Sequence, residues 1–241
     1  MAISGSRVLT AAAKLTLSLR VTGVRADGYH LIAARMVSLD LADTLTIDEE
    51  GTGVRYRVDG VEMESPRDDL VRRALALVGR DVAVTVDKRI PAGAGLGGGS
   101  SDAAAILRWA GVSDPAVAVE LGADVAFCLR GGRADVAGIG EVLEPLAFRA
   151  ETYTLLTPPV HASTPVVYRT WDEMGGPRGD NGNDLEPAAL KAYPELAAWR
   201  DELSGTTGQR ARLAGSGSTW FVEGAHPGPG RVVAHTTEAP D

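Results

Sequence analysis

The sequence predicts an α+β fold, and three observations carry that prediction. Apolar residues alternate with period two through much of the first ninety positions, the mark of half-buried strands. One helix-period stretch interrupts them, and a glycine-rich loop then runs directly into an alanine-rich helix. The resulting order, strands, helix, strand, loop, helix, is not the regular alternation of a βαβ protein. With 241 residues, 44% hydrophobic and 23% charged, the chain can build one large domain or two modest ones tightly joined.

Taken in order, Arg7 to Val21 reads as a strand in which Leu15, Leu17, Leu19 and Val21 alternate with Thr16, Ser18 and Arg20. Lys14 opens that alternation behind three alanines. It is either a solvated strand-end charge or a cation placed where small neighbours leave room for a ligand. Arg25-Ala-Asp-Gly-Tyr-His30 is a turn with Asp-Gly at its centre. Its Tyr29 and His30 are either incidental or a stacking ring beside a hydrogen-bonding one. Val37 to Leu41, Thr44 to Ile47 and Val54 to Val58 predict three short strands, with a turn at Asp59-Gly60. Asp68 or Asp69 caps a helix running to Val78, with Gly79 as its stop. Val82, Val84 and Val86 make the strand entering the glycine loop, and Lys88 and Arg89 stand at its exit.

Beyond the loop, the Ser-Ser-Asp step ending at Asp102 opens the alanine-rich helix, since Ser and Asp are favoured N-caps. Asp114-Pro115 starts a second, short helix. Asp124 lies between a glycine and an apolar run, so its carboxylate needs partners or a job; it is a cap or a functional acid. Gly131 to Pro145 predicts a hairpin and Thr152 to Thr157 a strand. Ser163-Thr-Pro165 is a helix start, and Gly175 to Gly182 is rich enough in Gly, Pro and charge to predict an exposed loop. Helical segments follow from Asn183 to Leu190 and from Glu195 to Leu203. Arg210 to Val222 reads strand, glycine turn, strand, and the weakly specified tail from Ala225 to Asp241 holds one expected strand around Val232 and Val233.

The stretch Ile90-Pro-Ala-Gly-Ala-Gly-Leu-Gly-Gly-Gly-Ser-Ser-Asp102 concentrates the functional signal. Five glycines in nine residues are not packing material, because glycine has no side chain and costs backbone entropy. They offer backbone N–H groups and close approach, and the following helix offers the positive end of its dipole to an anion. A flexible linker is the alternative, but a strand on one side and an immediate helix on the other favour a phosphate loop. No lysine follows the glycines, which excludes the Gly-Lys-Ser/Thr pattern. A dinucleotide fingerprint is formally present from Gly93 to Gly98, yet the acidic residue it expects, Asp114, opens a helix instead of ending a strand.

Charge and cysteine content narrow the function classes. A formal net charge of −8 disfavours nucleic acid and anionic membrane as partners, so an anionic substrate must be held by local cations and amides. The single cysteine, Cys128, excludes an internal disulfide, suits a reducing cytoplasm and reads as a small buried hydrophobe. Four scattered histidines show no metal-ligand spacing. The expected setting is cytoplasmic, with neither signal pattern nor membrane-length apolar run.

Six separated motifs share one order with a known family. Ala13-Lys14-Leu-Thr-Leu, Arg25 to His30, Pro91 to Ser101, Leu121-Gly-Ala-Asp124-Val, Asn183-Asp184 and Ala214-Gly-Ser-Gly217 together resemble the GHMP kinases, and among these the branch acting on 4-diphosphocytidyl-2-C-methyl-D-erythritol. The likeness runs from about Val8 to Val222. It implies an N-terminal ATP-binding α/β domain over residues 1–147 and a C-terminal α+β sandwich over 148–241. It implies transfer of the γ-phosphoryl of ATP to the substrate's 2-hydroxyl in non-mevalonate isoprenoid synthesis. Asp124 would then be the catalytic base and Lys14 its partner. Pro91, Ala92, Gly93, Ala94, Gly95, Leu96, Gly97, Gly98, Gly99, Ser100 and Ser101 would wrap the ATP phosphates, with Ser101 in the Mg²⁺ shell. Lys88 and Asp69 would line the adenine pocket. Tyr29 and His30 would stack on and hydrogen-bond the cytosine, and Thr16, Gly215, Ser216 and Gly217 would line the substrate side. The implied cofactors are ATP and Mg²⁺; the implied partner is this small molecule alone, for a monomer or homodimer. The chain departs from the pattern at Thr16, Asp69 and Ala126, where the family usually has Asn, Asn and Pro. It is also shorter between Leu107 and Glu120 and has no helix pattern after Phe221.

Overall fold

The computed structural model describes residues 6–64 and 68–240. The last residue of the predicted tail, Asp241, and the first five residues lie outside that range. Two long strands, β1 (Arg7–Val24) and β2 (His30–Asp48), pair antiparallel over their whole length. On its other edge β2 pairs with two strands in succession, β5 (Ala83–Lys88) through Thr44 to Asp48 and β6 (Arg133–Gly138) through Ile32 to Val37. The sheet is completed by β3 (Gly53–Val58), parallel to β5, by β4 (Val61–Met63) and by β7 (Val142–Pro145). It has seven strands and, apart from the β3–β5 pair, is antiparallel.

The two strands expected at Val37 to Leu41 and Thr44 to Ile47 are one. Ala42 and Asp43 stay in the ladder opposite Ala12 and Ala11, but Asp43 turns its charge inward, completely buried. A carboxylate at a core position breaks the apolar alternation without breaking the strand.

Helix α1 (Leu70–Leu77) is capped by Asp69, whose side chain accepts from Arg72 N. Helix α2 (Gly98–Trp109) begins earlier than expected: its N-cap is Gly97, at φ +70, and Ser100, Ser101 and Asp102 fall inside its first turns. Ser and Asp caps mark a start only where the chain leaves the loop, and here a left-handed glycine makes that exit three residues sooner. Two short helices follow, α3 (Pro115–Val119) with Asp114 as cap and α4 (Ala123–Arg130).

The remaining strands form a separate antiparallel sheet in the order β11 (Arg231–His235), β8 (Thr152–Leu156), β10 (Trp220–Glu223), β9 (Arg212–Leu213). The weakly specified tail is thus an edge strand, tied to the first sheet by Thr237 N donating to Ser38 O. Helices α5 (Thr164–Glu173), α6 (Glu186–Ala192) and α7 (Leu196–Thr207) complete this half. The loop expected to be exposed from Gly175 to Gly182 is only partly so. Gly179 is buried, and its N–H joins Arg20 and Val21 N on the buried carboxylate of Asp184. A larger apolar cluster includes Leu45, Ile106, Phe127 and Trp220; a smaller one gathers Leu15, Leu39, Leu96, Leu155 and Phe221. No helix of the described residues is long and apolar enough to cross a membrane.

Candidate active site

A cleft of about 1430 Å³ runs along the glycine loop, past the middle of β1 and out to the β1–β2 turn. Pro91 to Gly95 and Gly97 to Ser100 line it, whereas Leu96 points away and is buried in the smaller apolar cluster. The loop is pinned from below, because Lys14 N donates to Leu96 O and Thr219 N to Ala94 O. Burying one leucine contributes about 1.5–3 kcal/mol, so the Leu96 side chain anchors the loop and does not line the cleft. At Gly97 two requirements coincide: a left-handed backbone, and a Cα so close to the Lys14 stem that a Cβ would lie 2.7 Å from Lys14 Cγ. The first α-type bond at the helix start runs from Ser101 N to Gly97 O, and no side chain caps the helix. The amides of Gly98, Gly99 and Ser100 therefore have no intrahelical acceptor and can serve an anion.

Lys14 reaches under this loop to Asp124. Its Nζ lies 3.1 Å from Asp124 Oδ2 and 3.3 Å from Thr16 Oγ1. Strand periodicity puts Lys14 and Thr16 on one face, and register shifts on either side of them mark irregular pairing there. The neighbouring alanines, Ala11 and Ala13, are fully buried. The lysine is buried too, while Asp124, in the first turn of α4, keeps 38% of its side chain exposed. Lys14 is therefore not the solvated strand-end charge of the first reading but a desolvated cation, held against a carboxylate that still reaches solvent. Gly215 approaches the same pair, since a Cβ there would sit 3.6 Å from both Lys14 Nζ and Thr16 Oγ1. Asn183 holds that turn by donating to Leu213 O and Gly215 O. Ser216 lines the cleft, bonded to Thr164, and Gly217 faces away from it.

Two expected site residues have their side chains engaged within the fold. Ser101 Oγ donates to Ala12 O at 2.6 Å and lies against Cys128 Sγ at 3.3 Å, with the residue 1% exposed. It fastens α2 to β1 and does not line the cleft; Ser100, one residue earlier, does. Asp69 is consumed as the α1 cap, accepting from Tyr56 OH, Arg72 N and Arg72 Nε. Tyr56, Asp68, Leu70 and Val71 line the cleft in its place. Cys128 is buried as expected, and burial pushes its thiol up to about 12, so it stays protonated and inert.

Lys88 lines the cleft beneath α2, held between two buried carboxylates. It bonds Asp43 Oδ2 and, at 2.7 Å, Asp102 Oδ2. Asp43 also accepts from the amides of Arg89 and Ile90, whereas Asp102 Oδ1 is buried without a partner among the described residues. Two carboxylates share one ammonium, and the one with fewer donors bears the strain. Burial, with Asp43 adding to it against Lys88, pushes the Asp102 carboxyl up to about 7.

A carboxyl whose folded pKa lies above its unfolded 3.8 holds its proton more tightly in the native state. The stability it contributes is complete below that lower value and is lost as pH rises through about 7. Asp102→Asn removes this loss, so the variant should gain stability relative to the parent as pH rises from about 5 to 8. Thermal melts of both proteins across that range check it; a difference that stays flat or reverses sign would contradict the shift.

At the far end of the cleft stand Tyr29 and His30. Tyr29 is 60% exposed, with the Arg25 guanidinium 6.0 Å from its ring centre. His30 is enclosed by residues that the sequence did not single out. Tyr168 of α5 lies 4.6 Å from it at a tilted angle, and Trp171 meets it edge-on at 5.6 Å. Asp172 Oδ1 is 2.8 Å from His30 Nε2. Tyr168 and Asp172 stand four positions apart on one helix face, a spacing visible in the sequence, but nothing in it says that the face meets His30. Arg169 also lines this end.

Comparisons with known proteins add independent observations. Residues 69–137 match the model of the GHMP kinases N terminal domain. A 4-diphosphocytidyl-2-C-methyl-D-erythritol kinase of Granulibacter bethesdensis is 36% identical, over 98% of this chain and 91% of its own. A crystal structure of a 4-(cytidine 5'-diphospho)-2C-methyl-D-erythritol kinase superposes with TM-score 0.75 at 31% identity, over 95% of this chain and 99% of that one. The mevalonate pyrophosphate decarboxylase of Streptococcus pyogenes shares the fold at 12% identity, TM-score 0.60, over 99% and 98% of the two chains.

Proposed function

This chain belongs to the 4-diphosphocytidyl-2-C-methyl-D-erythritol kinases of the GHMP kinase family, and from that premise we propose how its cleft transfers a phosphoryl group. The enzyme is a kinase that uses ATP to phosphorylate the 2-hydroxyl of the cytidyl-diphosphate-linked methylerythritol, a step of isoprenoid synthesis. The single observation that best supports a site for this chemistry is the Lys14–Asp124 pair beneath the glycine loop. Phosphoryl transfer asks mostly for positioning and charge stabilisation. The loop from Pro91 to Ser100, with the free amides of Gly98, Gly99 and Ser100, holds the triphosphate. The adenine end falls among Tyr56, Leu70, Val71 and Lys88.

Asp124 Oδ accepts the proton of the acceptor hydroxyl as its oxygen forms the bond to the γ-phosphorus. The bond from that phosphorus to the bridging oxygen breaks, and ADP leaves. Lys14 orients the carboxylate through its 3.1 Å contact and opposes the negative charge that gathers on the moving phosphoryl. Tyr29 and His30 take the cytosine, Tyr29 by stacking. Gly215 and Ser216 border the methylerythritol.

Mg²⁺ fits residues other than Ser101. Magnesium keeps several waters and usually takes one or two carboxylates along with substrate phosphates. Asp102 offers an unpartnered oxygen and Ser100 a hydroxyl at the cleft wall, so these two would hold it. When bound, the ion neutralises charge on the β- and γ-phosphates. We place the domain division between residues 147 and 148, just ahead of the second sheet, which draws its strands from 152 to 235.

The test is release of ADP with the cytidyl diphosphate methylerythritol, against mevalonate and homoserine as competing alcohols. We expect turnover with the first and little above background with the other two. Equal rates on all three would refute the substrate.

A further inference from the structure

Asp172 touches one side chain of consequence, and its chemistry constrains what that side chain can read. Its Oδ1 lies 2.8 Å from His30 Nε2, and its side chain makes no other hydrogen bond among the described residues. An ionised carboxylate can only accept, so Nε2 must carry the hydrogen. In the neutral imidazole the other nitrogen, Nδ1, is then an acceptor with no hydrogen. Nδ1 has no protein partner among the described residues, and it is not one of the buried polar atoms left unsatisfied. It is open to the cleft that His30 lines. The ring cannot readily turn to exchange its nitrogens, because Tyr168 and Trp171 wall it at 4.6 and 5.6 Å.

We infer that Asp172 is a positioning residue that fixes the tautomer of His30, and thereby selects a pyrimidine bearing an amino group over one bearing a carbonyl. The inference rests on the cytidyl-substrate reading. Cytosine presents a 4-amino donor that matches an acceptor at Nδ1. Uracil presents a 4-oxo acceptor, which would face the Nδ1 lone pair with no hydrogen between them. Such an unmet acceptor is costly in a desolvated site. A carboxylate on α5 thus sets base identity through a ring at the start of β2, without touching the base.

The experiment uses the full chain and two probes, CDP and UDP, titrated calorimetrically at about pH 8.5, above the ordinary imidazole range. In parallel, ¹⁵N shifts of labelled histidine report which ring nitrogen of His30 carries hydrogen. The parent should bind CDP tighter than UDP by about tenfold or more and show the Nε2–H form. In Asp172→Ala that ratio should collapse toward one and the tautomer signature should become mixed, with ATP affinity unchanged. Asp172→Asn keeps the shape but can donate through its amide, which permits the Nδ1–H ring, so the ratio should fall or invert. An unchanged CDP-to-UDP ratio in both variants, or an Nδ1–H form in the parent, overturns the role of Asp172 and leaves the substrate reading standing. A parent that binds no CDP overturns the substrate reading and this inference together.

Discussion

Asp124→Ala should lower kcat by about 10²–10⁴-fold, the usual worth of a positioned general base, while leaving KM for ATP near the parent value. The asymmetry follows from where the residue sits. Asp124 occupies the first turn of α4 with over a third of its side chain exposed, so its loss removes little packing. The phosphate loop, built from residues 91–100, makes no side-chain bond to it. The loss does leave Lys14, a buried ammonium, with only the Thr16 hydroxyl, which costs stability of about 1–3 kcal/mol. Asp124→Asn is the companion variant, since the amide keeps the lysine's hydrogen bond but cannot take a proton. If both variants lose rate to a similar degree and only the alanine loses stability, the carboxylate acts as a base. A kcat within a few-fold of the parent in both would mean that the proton leaves by another route.

Which parts of this site were legible in the sequence depends on how local their causes are. The glycine loop could be read because conformation and anion binding both follow from a run of residues without side chains. The Asp-Gly-Tyr-His turn could be read because the turn chemistry is contiguous. The phase of the helix after the loop could not. Ser, Ser and Asp at 100 to 102 carry cap propensity, yet the left-handed Gly97 begins the helix ahead of them and rotates Ser101 into β1. The hydroxyl-bearing residue at the cleft wall is therefore its neighbour, Ser100. Asp43 hid for another reason: its partner Lys88 is 45 residues away, and a lone acid in an apolar run reads as a break. Tyr168 and Asp172 lie 138 and 142 positions from His30, so the wall around that ring is a product of packing between halves of the molecule. Propensity and period speak for elements, and only the fold says which faces meet.

Gly95→Ala should destabilise the fold strongly, because two penalties coincide there. The backbone stands at φ +76, which costs an L-residue roughly 1–2 kcal/mol. The added Cβ would also lie 2.6 Å from both Ala214 O and Gly217 O. These are main-chain atoms of the β9–β10 turn and cannot swing aside as a side-chain tip can. Overpacking of this kind costs about 1–3 kcal/mol more, so urea denaturation should register a combined loss of roughly 2–5 kcal/mol. The loop is pinned on that same turn through Thr219 N and Ala94 O, so a displacement also moves the amides that face the phosphates. KM for ATP should therefore rise along with the stability loss. Gly111→Ala separates the two causes. Its φ is +83, but nothing lies within 4 Å of the added carbon, so it should show only the backbone penalty and an unaltered KM. Equal losses at the two positions would mean that contact between loop and turn is loose, and that the glycine at 95 is required by its dihedral alone.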